Sequence, residues 1–274
     1  MTNYESDSQL PLGKTSPLPT QYDPSLLFLI PRSQARETIE GLAATTIYGE
    51  DVWTAYELSW LQVSGKPQVA IAVFRIPYTS ACIIESKSFK LYLNSLYNYR
   101  AASWQEVSEL LQKTLSNVLA CAVAVDLYSV DSSELQCTRL DGVCLDDLEV
   151  EVAASGIDAS LLKAGDGTSD ETLYSHLLRS SCPVTGQPDW ASIVIKYKGQ
   201  AIEHSGLLRY IISYRDHQGF HEQCVERIYL DLLRSFNLDY LSVYARYLRR
   251  GGLDINPFRC SESESAPLQR LTRQ

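Results

Sequence analysis

The octapeptide Cys182-Pro183-Val184-Thr185-Gly186-Gln187-Pro188-Asp189 sets a thiol and a carboxylic acid on one short loop. A thiolate attacks an electrophile while a nearby acid delivers a proton, which is the division of labour that covalent catalysis needs. Pro183 and Pro188, with Gly186 between them, oppose helix and favour turns, so the loop presents both groups from one rigid ledge. The same residues also fit a small buried thiol beside a turn, the commoner fate of cysteine.

Three further segments carry residues of the right type. Ile84-Glu85-Ser86-Lys87-Ser88-Phe89-Lys90 lies where a strand pattern hands over to a helical one. Glu85 and Ser86 suit helix capping there. A carboxylate at a strand end equally suits the paired N–H donors on the edge of a purine-like ring. Lys87 and Lys90 add charge where a phosphate docks on a helix N-terminus. Gly219-Phe220-His221-Glu222 opens an amphipathic helix, so Glu222 is either an acid favoured by the helix dipole or the holder of a ligand edge, with His221 handling protons beside Cys182. Arg249-Arg250-Gly251-Gly252 closes a long strand. A basic pair there is a solvated edge or, because two glycines let backbone approach closely, an anion site in which Arg250 pairs a phosphate. His176, His204 and His217 have no companions in sequence and read as surface or structural residues.

These residues need elements to position them. Residues 52–63 and 69–77 are aromatic and β-branched runs around Ser64-Gly65-Lys66-Pro67, which predicts an antiparallel hairpin. Helices are predicted over 88–100 and 104–120, the second with Ser103 and Glu106 as a capping box, and a strand over 120–130. The order recurs downstream: strand 190–199, helices 207–216 and 221–236, strand 240–250. A gapless shift of 118 residues superposes Glu85 on Glu203, Tyr92 on Tyr210, Ser95 on Ser213 and Val107 on Val225, which indicates duplication. The expectation is α+β: two related units, each an antiparallel sheet with a helix pair on one face. Residues 1–40, rich in proline, are read as an extended N-terminal arm, 41–150 as the first unit and 151–274 as the second, with a linker near 145–165.

Composition excludes several classes. A net charge of -9 spread over 274 residues is a poor match to nucleic acid, which wants a concentrated basic face. Seven cysteines without repeated short spacing argue for a reducing compartment rather than a disulfide framework, and only His221 with Cys224 resembles a metal pair, so no metal is expected. The polar start and the lack of a long apolar run predict a cytoplasmic protein with no membrane contact. Gly13-Lys14-Thr15 lacks the second glycine of a phosphate loop, and no G-x-G-x-x-G follows a strand.

The segments together resemble a known family. ESKSFKLYLNS at 85–95, SSCPVTGQPDWASI at 180–193, FHEQCVERI at 220–228, RRGGLDINP at 249–257 and the amino-terminal LGKTSPLPTQYDPSLLFLIPR are similar to the NADPH-dependent 7-cyano-7-deazaguanine reductases, the QueF nitrile reductases of queuosine biosynthesis, in their long two-unit form. The resemblance implies tandem tunnelling-fold (T-fold) units that assemble into a barrel as a homodimer, with sites at interfaces. It implies Cys182 as the nucleophile that forms a thioimide with the nitrile, Asp189 as proton donor with His221 in support, and Glu222 and Glu85 gripping the base beside Ile84, Ser86 and His221. Ser86, Lys87, Arg250 and Gly251 are implied to contact NADPH. The chemistry balances without metal or flavin: two hydrides convert the nitrile to an aminomethyl group. Water must be kept from the intermediate imine, with Phe220 and Trp190 as expected walls. Two alternatives stay open: a thiol hydrolase built on Cys182, His221 and Asp189, and a non-catalytic purine-binding module.

Overall fold

The computed structural model describes residues 18–152 and 156–274. Gly13-Lys14-Thr15 and the start of the arm lie outside the described residues. From residue 18 the chain runs across the first half, where the Tyr22 hydroxyl bonds those of Tyr92 (3.1 Å) and Thr114 (2.7 Å). Strand β1 (Leu29–Pro31) follows. The proline content predicts extended chain throughout, but a short helix α1 (Arg32–Arg36) begins after Pro31, which as N-cap leaves no helical bond unmade by its missing N–H.

The predicted hairpin is β2 (Tyr48–Gln62) and β3 (Pro67–Pro77), antiparallel with Trp53 opposite Phe74. Strand β4 (Cys82–Ile84) pairs with β1, so the arm is stitched to the segment that leads into Glu85. Helix α2 spans Ser86–Asn94, followed by a 3-10 turn at Ser95–Asn98, β5 (Arg100–Ala101) and α3 (Trp104–Leu119). The predicted capping of α3 is present: Ser103 Oγ accepts from the Glu106 amide at 3.1 Å and the Glu106 carboxylate accepts from the Ala102 amide at 2.8 Å. Strands β6 (Ala124–Tyr128) and β7 (Val143–Cys144) complete the first half. The second half holds β8 (Ala164–Ser181), β9 (Pro188–Ile202), α4 (His204–Ile212), α5 (His221–Ser235), β10 (Leu238–Tyr247) and β11 (Leu253–Cys260).

The internal repeat reaches atomic detail. Helices α2 and α4, with the 3-10 turns after them, begin and end 118 residues apart. Ser95 Oγ donates to the Tyr92 carbonyl and Ser213 Oγ to the Tyr210 carbonyl, both at 2.6 Å.

The chain is mixed α+β, and nine strands of the described residues join in one sheet, ordered β6-β3-β2-β11-β10-β9-β8-β7 with β5 beside β2. Helices α2 and α3 cover one core built on Trp53, Phe74 and Phe89; α4 and α5 cover another built on Ile193, Tyr210 and Val243. Besides the short strands of two or three residues, two strands escape the sequence pattern. The first half of β8 is polar and largely exposed, so it lacks alternation, and β11 buries Asp254, Asn256 and Arg259 where apolar residues are expected. That last strand matters most. It pairs antiparallel with β2 from Leu253↔Ala55 to Cys260↔Tyr48 and so joins the two halves edge to edge.

Asn256 pins this seam: its side-chain amide donates to the Val52 carbonyl (3.1 Å) and its oxygen accepts from the Tyr247 amide (2.9 Å). Replacing it by alanine takes the acceptor from the buried Tyr247 amide and a donor from the Val52 carbonyl. Asn256→Ala is expected to lower stability by about 2–3 kcal/mol, read as a shift of the urea midpoint at unchanged slope.

Candidate active site

A turn at the tip of the β8–β9 hairpin fixes the thiol. The Cys182 amide donates to the Gln187 carbonyl (2.8 Å) and the Gly186 amide to the Cys182 carbonyl (3.0 Å), with Gly186 at φ +66°, where a side chain would be strained. Cys182 is 8% exposed and Asp189, at the start of β9, 2%. Both face a pocket of about 180 Å³.

Asp189 is held by two basic side chains on one oxygen. Arg250 forms a close ion pair with Oδ1 while its other nitrogen donates to Gln187 Oε1 at 2.6 Å, and His221 Nε2 lies 3.4 Å from the same Oδ1. Burial pushes the Asp189 carboxyl up, but the hydrogen bond and charge of His221 and the charge of Arg250 outweigh it and hold the group below the usual range. His221 is fixed in turn. Its Nδ1 donates to the Ile255 carbonyl at 3.0 Å and its ring stacks on Tyr247, with centroids 3.6 Å apart and planes 6° from parallel.

Helix starts supply the opposite wall. Glu85 caps α2 with both carboxylate oxygens, accepting from the Lys87 amide (2.7 Å) and the Ser88 amide (2.8 Å), and it also lines the pocket. The capping and the binding readings of Glu85 are therefore compatible, since each carboxylate oxygen has a second lone pair. Glu222 lies in the first turn of α5, 5% exposed, and no basic nitrogen is within 4.0 Å of its carboxylate among the described residues. Burial, then the charge on Asp51, push its carboxyl up; Arg32 and His221 oppose this without cancelling it. Lys90 and Arg250 share the remaining wall with Gly251. Burial, then repulsion from Arg250, push the Lys90 ammonium down, against the pull of Glu85 and Asp189.

The pocket thus gathers Cys182, Asp189, His221, Glu222, Ile84, Glu85, Ser86, Arg250 and Gly251 from segments far apart in the chain. Lys87 is not on its wall; Lys90, one helical turn further on, is. Phe220 lines it, whereas Trp190 does not: Asp189 and Trp190 are neighbours on a strand and face opposite ways, and the guanidinium groups of Arg179 and Arg215 each stand 5.6 Å from the indole ring. Gln187, Leu248 and Ile255 line it without a sequence expectation of their own. Gln187 belongs to the Cys182–Asp189 loop; the two apolar residues carry no signal beyond hydrophobicity. Cys224 is fully buried and its thiol pushed up by burial to about 12, while Cys82 sits in β4 against the arm.

Gly251 is at φ +60°, where a side chain would be strained, and a Cβ there would stand at ordinary contact distance, 3.5 Å, from Lys90 Cδ. A glycine beside two cations leaves room for a phosphate-bearing group to approach the backbone.

The pocket joins a thiol to buried acids and bases, a set suited to an enzyme, and comparison with known proteins places the chain more narrowly among nitrile reductases. Residues 18–127 match the family model described as nitrile reductase, 7-cyano-7-deazaguanine-reductase N-term, and residues 188–266 match that of a QueF-like protein. The NADPH-dependent 7-cyano-7-deazaguanine reductase of Burkholderia cenocepacia is 52% identical over 262 residues, covering 94% of this chain and 95% of its own. The proteins of the same name from Burkholderia vietnamiensis and Burkholderia multivorans are 52% identical over 260 residues, with the same coverage. The chain belongs to the 7-cyano-7-deazaguanine reductase family.

A carboxyl raised in the folded state binds more protons folded than unfolded, so its contribution to stability falls as pH rises above the ordinary value, 4.5 for Glu222, and through its folded value. Glu222→Gln removes that loss. The variant's stability advantage over the parent is expected to be absent below about pH 4 and to grow toward neutrality, in denaturant titrations across roughly pH 4–8. An advantage constant with pH refutes the assignment.

Proposed function

We propose that the chain reduces the nitrile of 7-cyano-7-deazaguanine (preQ0) to the aminomethyl base (preQ1) with NADPH, the activity for which its relatives are named. The observation that carries the reading is Glu222, a buried carboxylate without an ion-pair partner among the described residues, in one pocket with an acid-flanked thiol. The ring N–H and amino group of a deazaguanine edge match its two oxygens, and Glu85 adds a lone pair from the helix cap.

The thiol and Asp189 divide the first step. Cys182 passes its proton to Asp189 as sulfur bonds to the nitrile carbon, and Asp189 returns that proton to the nitrogen, giving a thioimide with no net proton consumed. Arg250 and His221 both sit on Asp189 Oδ1, which leaves Oδ2 for this transfer. NADPH, when bound, supplies hydride, once to the thioimide and once, from a second molecule, to the imine. Between these steps the nitrogen lone pair expels Cys182 as thiolate. Asp189 and His221 hold the proton that each reduction delivers to nitrogen. Lys90, Arg250 and Gly251 suit the phosphates of the dinucleotide, and the apolar cover of Phe220, Leu248 and Ile255 keeps water from the imine.

The hydrolase alternative needs an imidazole directed at the thiol. Both His221 nitrogens are engaged elsewhere, by Ile255 and Asp189, which favours the reductase. We further infer tandem T-fold units, from the repeat and the helix pairs on one sheet face, with two chains closing a barrel through the free edges of β6 and β7. Seven free cysteines suit a reducing cytoplasm. Among the described residues no helix is long and apolar enough to cross a membrane.

Incubation with the cyano base and no NADPH is expected to add one ligand mass to the intact protein, and none to Cys182→Ala. Asp189→Asn is expected to bind the base but form the adduct about 10²–10⁴-fold more slowly. Nitrile consumption without NADPH would favour a hydrolase, and base binding without adduct a binding module.

A further inference from the structure

Behind Glu222 lies a second, smaller cavity of about 20 Å³, bordered by Arg32 of the arm, Ile83, Phe220, Glu222 and Glu226. Glu222, with Ile83 and Phe220, lines both spaces, the main pocket and this cavity. Arg32 is 4% exposed and, among the described residues, is the one cation on the cavity wall. Its Nη2 bonds Asp51 Oδ2 and its Nε donates to Ser80 Oγ at 3.0 Å. Its Nη1 is buried, without a hydrogen-bond partner among the described residues, and 3.9 Å from Glu226 Oε1. A buried guanidinium nitrogen left in this state is costly, and a cavity of this size holds one water.

The charges around it balance only if Glu222 is ionised. Arg259 on β11 bridges Asp51 and Glu226 at 2.8 Å each, and Arg36 reaches Glu226 at 2.9 Å. Three cations, Arg32, Arg36 and Arg259, thus stand against two anions that are already paired, and Glu222 is the third. We propose that Arg32 is a positioning residue for the nucleobase: its Nη1, through a water in the small cavity, keeps the Glu222 carboxylate charged and aimed into the main pocket. The inference rests on the reading of Glu222 as the group that grips the base. The other groups facing Glu222 do not substitute for Arg32. Asp51 from β2 and Glu226 on its own helix repel its charge; Glu85 and Asp189 across the pocket are acids; Lys90 and Arg250 are committed to that wall. His221 is shared with Asp189.

The test uses non-covalent binding of the cyano base to the Cys182→Ala protein, followed by calorimetry from roughly pH 5.5 to 8.5. Adding Arg32→Met is expected to weaken binding about 10-fold near neutral pH and to move the acid limb of the affinity profile up by about one pH unit, with Arg32→Lys in between. The Michaelis constant for NADPH, measured with Cys182 present, is expected to stay put. In a Glu222→Gln background, Arg32→Met is expected to cost no further affinity, because the two act through one carboxylate. An equal loss with and without the Glu222→Gln substitution, or an unmoved acid limb, overturns the proposal. If Glu222→Gln alone leaves base affinity unchanged, the parent reading falls and the proposal with it. Should Arg32→Met not fold, Ser80→Ala, which leaves the guanidinium in place and removes its Nε contact along with the Ser80 donation to the Cys82 carbonyl, is expected to shift the limb in the same direction by less; no shift overturns the proposal.

Discussion

The pairing of β11 with β2 is the constraint on which the site depends. One wall of the pocket follows β4 in the first half, through Ile84, Glu85 and Lys90; the other follows the β8–β9 hairpin and the start of α5 in the second, through Cys182, Asp189, His221 and Glu222. These walls face each other because β11 lies between β2 and β10 in one continuous ladder. The same strand carries Ile255, whose carbonyl orients His221, and Arg259, which enters the buried ion cluster with Asp51 of β2. A cluster of this kind is expensive to desolvate, and removing one member leaves another charge uncompensated. Its members come from the arm, β2, α5 and β11, so it forms only when all four are docked.

Much of this is legible in the chain. The β2–β3 hairpin, α3 with its cap, and the repeat of helix pairs follow from alternation, capping chemistry and a fixed offset, all local signals. The Cys182–Asp189 loop and the Glu85, His221–Glu222 and Arg250–Gly251 segments are marked by residue type, and the pocket unites them. What escapes depends on distant partners. Strand β11 reads as polar because its buried Asp254, Asn256 and Arg259 are satisfied by other strands, which no local pattern reveals. Lys90 takes the place of Lys87 on the pocket wall although the two stand one helical turn apart on α2, a choice that residue type and spacing do not reveal. Trp190 departs from expectation for a strand reason: next to a pocket residue on a strand means facing the other side.

The two acids beside His221 show how environment divides roles between chemically equal groups. Asp189 and Glu222 are both buried, so desolvation pushes both up. At Asp189 the contacts of His221 and Arg250 with a single oxygen reverse the effect and leave the other oxygen free, suited to take up a thiol proton and pass it on. At Glu222 no basic nitrogen of the described residues lies within 4.0 Å and Asp51 repels, so desolvation prevails and the carboxylate lacks an ion-pair partner among the described residues. Ring N–H donors supply what burial took away, so an acid of this kind gains more from a ligand than one already paired would. Exchanging the two environments would disable both: an Asp189 without its basic partners would hold its proton, and a Glu222 with an arginine fork on it would have no lone pairs turned toward a base. On the proposed reading, binding and chemistry are kept separate by the placement of Arg250 on one acid and the withholding of Arg32 from the other.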